Sequence, residues 1–143
     1  MPTFESIVQE LPNYLSQLLQ QKANSLKDLT EGKIKRLLGT DSDIPGIYLI
    51  YNQEKPVYIG RSAHLAQRVG KDHRALEETQ ATLTYRLVRS GLPEITSMKQ
   101  ARDYMFRNFK VKILPVNDEY MRTIFEVYAS LKLNTPYNKF MEH

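Results

Sequence analysis

The hydrophobic periodicities of the chain predict an α+β fold: a small three-stranded, mainly antiparallel sheet flanked by helices, with an N-terminal helical extension. Three observations point there. Apolar residues recur at helical spacing over residues 4 to 38, and two β-branched and aromatic runs flank a turn-like segment from Asn52 to Pro56. Phe109, Val111 and Ile113 then alternate with Lys110 and Lys112, as a half-buried strand should.

Taken in order, Ile7, Leu11, Leu15, Leu18 and Leu19 mark a first helix, with Pro12 tolerable only near its start. A second short helix carries Leu29, Ile34, Leu37 and Leu38 and stops at Gly39, and residues 40 to 43 form a polar connector. Gly46 to Tyr51 and Val57 to Gly60 read as a β-hairpin. A helix over about 62–69 follows, its inward face Leu65, Ala66 and Val69. A longer one, over about 74–90, uses Leu76, Leu83, Leu87 and Val88 and ends at Gly91. Residues 97 to 108 form another helix, ahead of the third strand. Asp118 caps a last helix containing Met121, Ile124, Phe125, Tyr128 and Leu131. The predicted division is a helical extension over 1–43, packed on a core domain over 44–143 that carries a helical insert at about 74–108.

At 143 residues the chain has the length of one ordinary domain. It has no cysteine, which excludes disulfides, thiolate metal sites and a cysteine nucleophile, and leaves hard cations such as Mg²⁺ as the expected metal. No apolar run approaches bilayer length and the N-terminus lacks a secretory pattern, so a cytoplasmic location without a membrane partner is expected. The net charge of +4 is uneven, with most Lys and Arg from Arg61 onward. That asymmetry suits either an anionic partner or a solvated basic surface.

Tyr48 and Tyr58 sit on the two hairpin strands, where alternation can bring both phenols onto one face about 4.8 Å apart in the pairing direction. A phenol titrates near 10 in water, too high for a base at neutral pH, unless nearby arginines and a cation lower it. Tyrosines that merely cover half-buried sheet would look the same. Gly46 and Gly60 beside the pair suggest close backbone approach.

Gly46-Ile47-Tyr48, nine intervening residues and Tyr58-Ile59-Gly60 resemble the motif of the GIY-YIG nucleases. Arg68, ten residues after Tyr58, resembles the family's helix-borne arginine. Glu126, twelve residues before Asn138, looks like its closing glutamate helix and Pro-Tyr-Asn end. The resemblance spans residues 46 to 138 and implies DNA phosphodiester hydrolysis at one divalent cation, Mg²⁺ or Mn²⁺.

By that resemblance, Tyr48 is the general base tuned by Tyr58, with the choice between the two phenols left open by the sequence, Arg68 holds a phosphate oxygen and Glu126 is the metal ligand. Arg61, after Gly60, is expected at phosphate, and His73 at substrate, in proton transfer or in a loop with neither role, the position four after Arg68 being Asp72. Asn138 is expected at the substrate side of the site as an orienting amide, or simply in a turn. On a helical projection Glu126 falls opposite the stripe of Ile124, Phe125, Tyr128 and Leu131, as either a solvated side chain or a groove-facing ligand would. Arg74, Arg86, Arg89, Lys99, Arg102 and Arg107 in the insert could track a phosphate backbone or decorate solvated helices. The partners implied are single- or double-stranded DNA and a second copy or recruiting protein. A catalytically silent domain that binds nucleic acid or protein is the alternative.

Overall fold

The computed structural model describes residues 2–74 and 82–140. Helix α1 (Phe4–Gln20) is followed by a two-residue strand β1 (Asn24–Ser25), a single 3-10 turn and α2 (Glu31–Leu38). Strands β2 (Gly46–Asn52) and β3 (Lys55–Ser62) form the hairpin, and α3 (Leu65–Gly70) leads into a 3-10 turn over Asp72–Arg74. Then come α4 (Thr82–Val88), α5 (Met98–Asn108), β4 (Phe109–Pro115) and α6 (Glu119–Leu133). The expected helix over 74–90 is thus seen as α4 alone, and its Leu76 lies outside the described residues.

The sheet has four strands rather than three, in the order β1-β4-β2-β3, with every neighbouring pair antiparallel. The added strand pairs Asn24 with Val111 and Ser25 with Lys110. Two polar residues carry no alternation, so nothing in the local pattern distinguishes them from the helical stretch around them.

Alternation along the strands divides the core in two. Tyr48, Ile50, Val111 and Ile113 face α2, α3, α4 and α5, against Ile34, Leu65, Val69, Leu87 and Met105. Ile47, Leu49, Ile59 and Leu114 face α1 and α6, against Ile7, Leu11, Leu18, Met121 and Phe125. Each fully buried aliphatic side chain contributes roughly 1.5–3 kcal/mol. That burial carries α1 straight through Pro12, which sits in the helix interior on the exposed side rather than near the helix start.

Candidate active site

The strand register decides where the two phenols meet. Tyr48 pairs with Gly60 and Ile50 with Tyr58, so the tyrosines lie diagonally on one face, ring centroids 6.2 Å apart. A Cβ at Gly60 would collide with Cζ and Oη of Tyr48, which means the ring lies across the strand that Gly60 leaves bare. At Gly46 a Cβ would meet the Leu114 carbonyl and the Leu65 side chain, so this glycine lets α3 seat against β2.

Helix α3 carries Arg68 and is held at its start by a residue well upstream. Asp43, in the polar connector, accepts from the backbone N–H groups of Ile44 (2.9 Å), Ala66 (2.7 Å) and Gln67 (2.9 Å). The last two donors would otherwise be orphaned at the helix N-terminus. Asp72, one turn after Arg68, pairs with it at 3.8 Å. Arg68 donates hydrogen bonds to both phenols.

His73 follows Asp72 and is turned inward by the 3-10 turn. Its ring is fully buried, with Nε2 2.7 Å from Tyr48 Oη and its centroid 5.4 Å from Tyr48 and 5.9 Å from Tyr58. Direct substrate contact, expected for this histidine, does not fit a ring buried behind the tyrosines. Its Nδ1 is buried without a hydrogen-bond partner among the described residues. Nε2 and Tyr48 Oη share one hydrogen bond whose direction follows the tautomer: the neutral ring accepts from the phenol O–H at Nε2, or donates from Nε2 to the phenol oxygen. Tyr48 Oη therefore receives a hydrogen bond from Arg68 and shares another with His73 Nε2.

Burial pushes the Tyr48 phenol well above its ordinary value of 10.0; the neighbouring Tyr58 adds to this and Arg68 opposes it. The expectation that arginine would lower this phenol is corrected: Arg68 acts in that direction, but desolvation outweighs it. Burial works against the charge of Arg68 as well, yet its contacts with the two phenols prevail and raise its pKa. His73 is held well below the usual 6.5 by burial first and Arg68 second, and is neutral.

Glu126 approaches from the other side of β3. The buried face of α6 is Met121, Phe125, Ala129 and Ser130, while Leu131, expected inside, is 73% exposed. The stripe is rotated from its expected position, so Glu126 lies at its margin rather than opposite it. Its side chain is only 19% exposed and pairs with Arg61 at 3.7 Å through one carboxylate oxygen. Burial raises its pKa from 4.5, opposed by Arg61, Arg86 and Arg68. The charge of Glu126 in turn helps to keep the proton on Tyr48.

Asn138 orients its neighbours through its side-chain amide. Its Oδ1 accepts from Ile59 N (2.9 Å) and from Thr135 Oγ1 (2.6 Å), and its Nδ2 donates to Ile59 O (2.8 Å). The amide thus imitates a strand partner on the free edge of β3, and is engaged with backbone rather than aimed at substrate. Tyr48, Tyr58, Arg68 and His73 are in mutual contact, Glu126 and Arg61 form the second half of the site, and Asn138 braces the strand between. Asp43 was missed because a cap that reaches across 23 residues leaves no local pattern.

The family model for the GIY-YIG catalytic domain matches residues 44–138. This chain belongs to the GIY-YIG family. Among solved structures it is similar to the GIY-YIG N-terminal endonuclease domain of UvrC from Thermotoga maritima. A point mutant bound to its catalytic divalent cation is 20% identical, with TM-score 0.44, 75% of this chain and 97% of that one covered. The magnesium-bound form is 19% identical, with TM-score 0.40 and coverages of 75% and 97%. No curated protein matches the chain by sequence.

The side chains present suit a hard cation. Among the described residues no group of three or more His, Asp or Glu converges. Mg²⁺, however, keeps most of its water and needs only one or two carboxylates. Glu126 is a partly desolvated carboxylate with one long ion pair, so added positive charge there is favourable.

Proposed function

We propose that this chain is a metal-dependent endonuclease that hydrolyses phosphodiester bonds in DNA, with Glu126 holding Mg²⁺ or Mn²⁺. The observation that carries the proposal is Arg68 bonded to both phenols, with Glu126 close enough for its charge to act on Tyr48. A divalent cation at Glu126 supplies positive charge that polarises the phosphate and offsets the carboxylate's hold on the Tyr48 proton.

Tyr48 is the general base. Arg68 donates to its oxygen and His73 Nε2 shares a hydrogen bond with it, an arrangement that suits a phenolate, although burial keeps the phenol protonated in the resting protein. Once deprotonated, its oxygen takes a proton from the attacking water. Tyr58 shares the Arg68 guanidinium and orients it, and Arg68 offsets charge developing on the phosphate. Arg61 is half exposed and can leave Glu126 for a phosphate oxygen.

The test is incubation of purified protein with supercoiled plasmid and single-stranded oligonucleotide in Mg²⁺, Mn²⁺ or chelator, beside Glu126→Ala and Tyr48→Phe. Metal-dependent cutting lost in both variants is the expected result. Wild-type protein that binds these substrates but cuts with no metal would leave a silent binding domain instead.

A further inference from the structure

Next to the tyrosine face lies a groove of about 680 Å³ that the chemistry above does not use, lined chiefly by Tyr85, Arg86, Arg89, Pro136, Tyr137 and Lys139. One wall is α4 and the other the C-terminal segment, tied together where Arg86 Nη1 donates to the Tyr137 carbonyl at 2.7 Å. That segment runs along β3: Tyr137 N donates to Val57 O at 3.1 Å, and Asn138 pairs with Ile59, on either side of Tyr58. The groove therefore borders the strand that carries Tyr58 and Arg61. The charge of Arg86 also reaches Glu126, which links the groove electrostatically to the proposed metal ligand.

Among the described residues the lining has three cations, two tyrosines and no carboxylate. Arg89 stacks over the Tyr85 ring, 5.8 Å to the centroid, and its Nη1 donates to Tyr85 Oη at 3.3 Å. Positive charge and aromatic surface thus come as one unit. The volume lies within the roughly 300–1,000 Å³ that suits a small ligand. Tyrosine faces in a recess can be met only by a base out of its helical stack, because in a duplex both faces of each base are already covered.

We propose that this groove receives an unpaired nucleotide of a single DNA strand flanking the scissile phosphate, its base on Tyr85 and Tyr137 and its phosphate at Arg89 and Lys139. The placement beside the scissile bond rests on the nuclease reading; the preference for an unpaired base does not. The chain then selects single-stranded or locally opened DNA over intact duplex.

Fluorescence anisotropy in chelator, where no metal-dependent cutting occurs, tests this with a labelled oligothymidylate alone and annealed to its complement. The single strand is expected to bind more tightly. Tyr85→Ala should weaken it by about 5- to 150-fold, the loss of one stacking partner, while Tyr85→Phe retains it. Arg89→Ala should flatten the salt dependence by about one phosphate contact. Duplex bound as tightly as single strand, or Tyr85→Ala bound like wild type, overturns the proposal. Tighter binding of an RNA of matching sequence overturns the choice of DNA. Cutting assays in Mg²⁺ separate the two readings. Cleavage by wild type with Tyr85→Ala unimpaired in binding and cutting removes the groove and leaves the nuclease. Tyr85-dependent binding without cutting in any metal keeps the groove and removes the nuclease.

Discussion

Tyr48 and Glu126 stand on opposite margins of one site, and burial disfavours the charged form of each, but their surroundings differ in kind. Tyr48 has no exposed surface and is fixed by packing: the bare strand at Gly60 beneath it, His73 and Tyr58 beside it, Arg68 on its oxygen. Glu126 is held chiefly by charge, through a 3.7 Å pair with an arginine whose own side chain is 45% exposed. The half proposed to handle the proton is therefore a property of the core, whereas the half proposed to hold the cation can exchange partners. An arginine on a half-exposed strand edge is well suited to leave when a metal and a phosphate arrive.

Arg68 bonds to the phenols and its charge reaches Glu126, so among changes outside the proposed base its replacement should have the largest effect. Arg68→Lys keeps the charge but not the planar fork, and cleavage should fall by about 10²–10³-fold, as when one preorganised donor is lost. Single-turnover kinetics with unchanged thermal stability would check this; a rate near wild type would detach Arg68 from the chemistry. Gly60→Ala attacks the packed half alone. Its methyl must displace the Tyr48 ring, and denaturant unfolding should show a loss of about 1–3 kcal/mol.

For the charged half the sign reverses. The raised pKa of Glu126 means that its contribution to stability is full below 4.5 and is lost as pH rises through the folded value. At neutral pH Glu126→Gln should consequently raise the melting temperature of the metal-free protein; a fall would show that the Arg61 pair outweighs desolvation. His73 gives the smallest effect. Its depressed pKa makes its contribution full above about 6.5 and lost as pH falls, because the unfolded chain takes a proton that the buried ring refuses. His73→Gln can retain a donor to Tyr48 while removing titration, so its melting temperature should decline less between pH 7 and pH 5 than that of wild type.

Much of the tyrosine half is legible in the sequence, because it follows from short-range periodicity. Alternation puts Tyr48 and Tyr58 on one face, and the glycines beside them mark the close approach that the ring of Tyr48 and the seating of α3 require. What the pattern hides is environment. Tyr48 is packed among side chains from β3, α3 and α4, most of them well along the chain from it, so the direction of its shift is set by neighbours distant in sequence. Glu126 shows the same limit: the buried stripe of α6 is set by what the sheet offers it, and this moved Glu126 from the opposite side to the margin. The two-residue β1 and the Asp43 cap escape for a related reason, since each is defined entirely by a partner far along the chain.

The dependence of cleavage on pH, in saturating Mg²⁺ and under single-turnover conditions, tests the central claim most directly when wild type is set beside Tyr48→Phe. With Tyr48 as the base, its raised pKa leaves little phenolate at neutral pH, so the wild-type rate should climb into the alkaline range until the fold is lost. Tyr48→Phe should be about 10²–10⁴-fold slower and lack that climb. A Tyr48→Phe protein that cuts at the wild-type rate with the same pH profile would contradict the account.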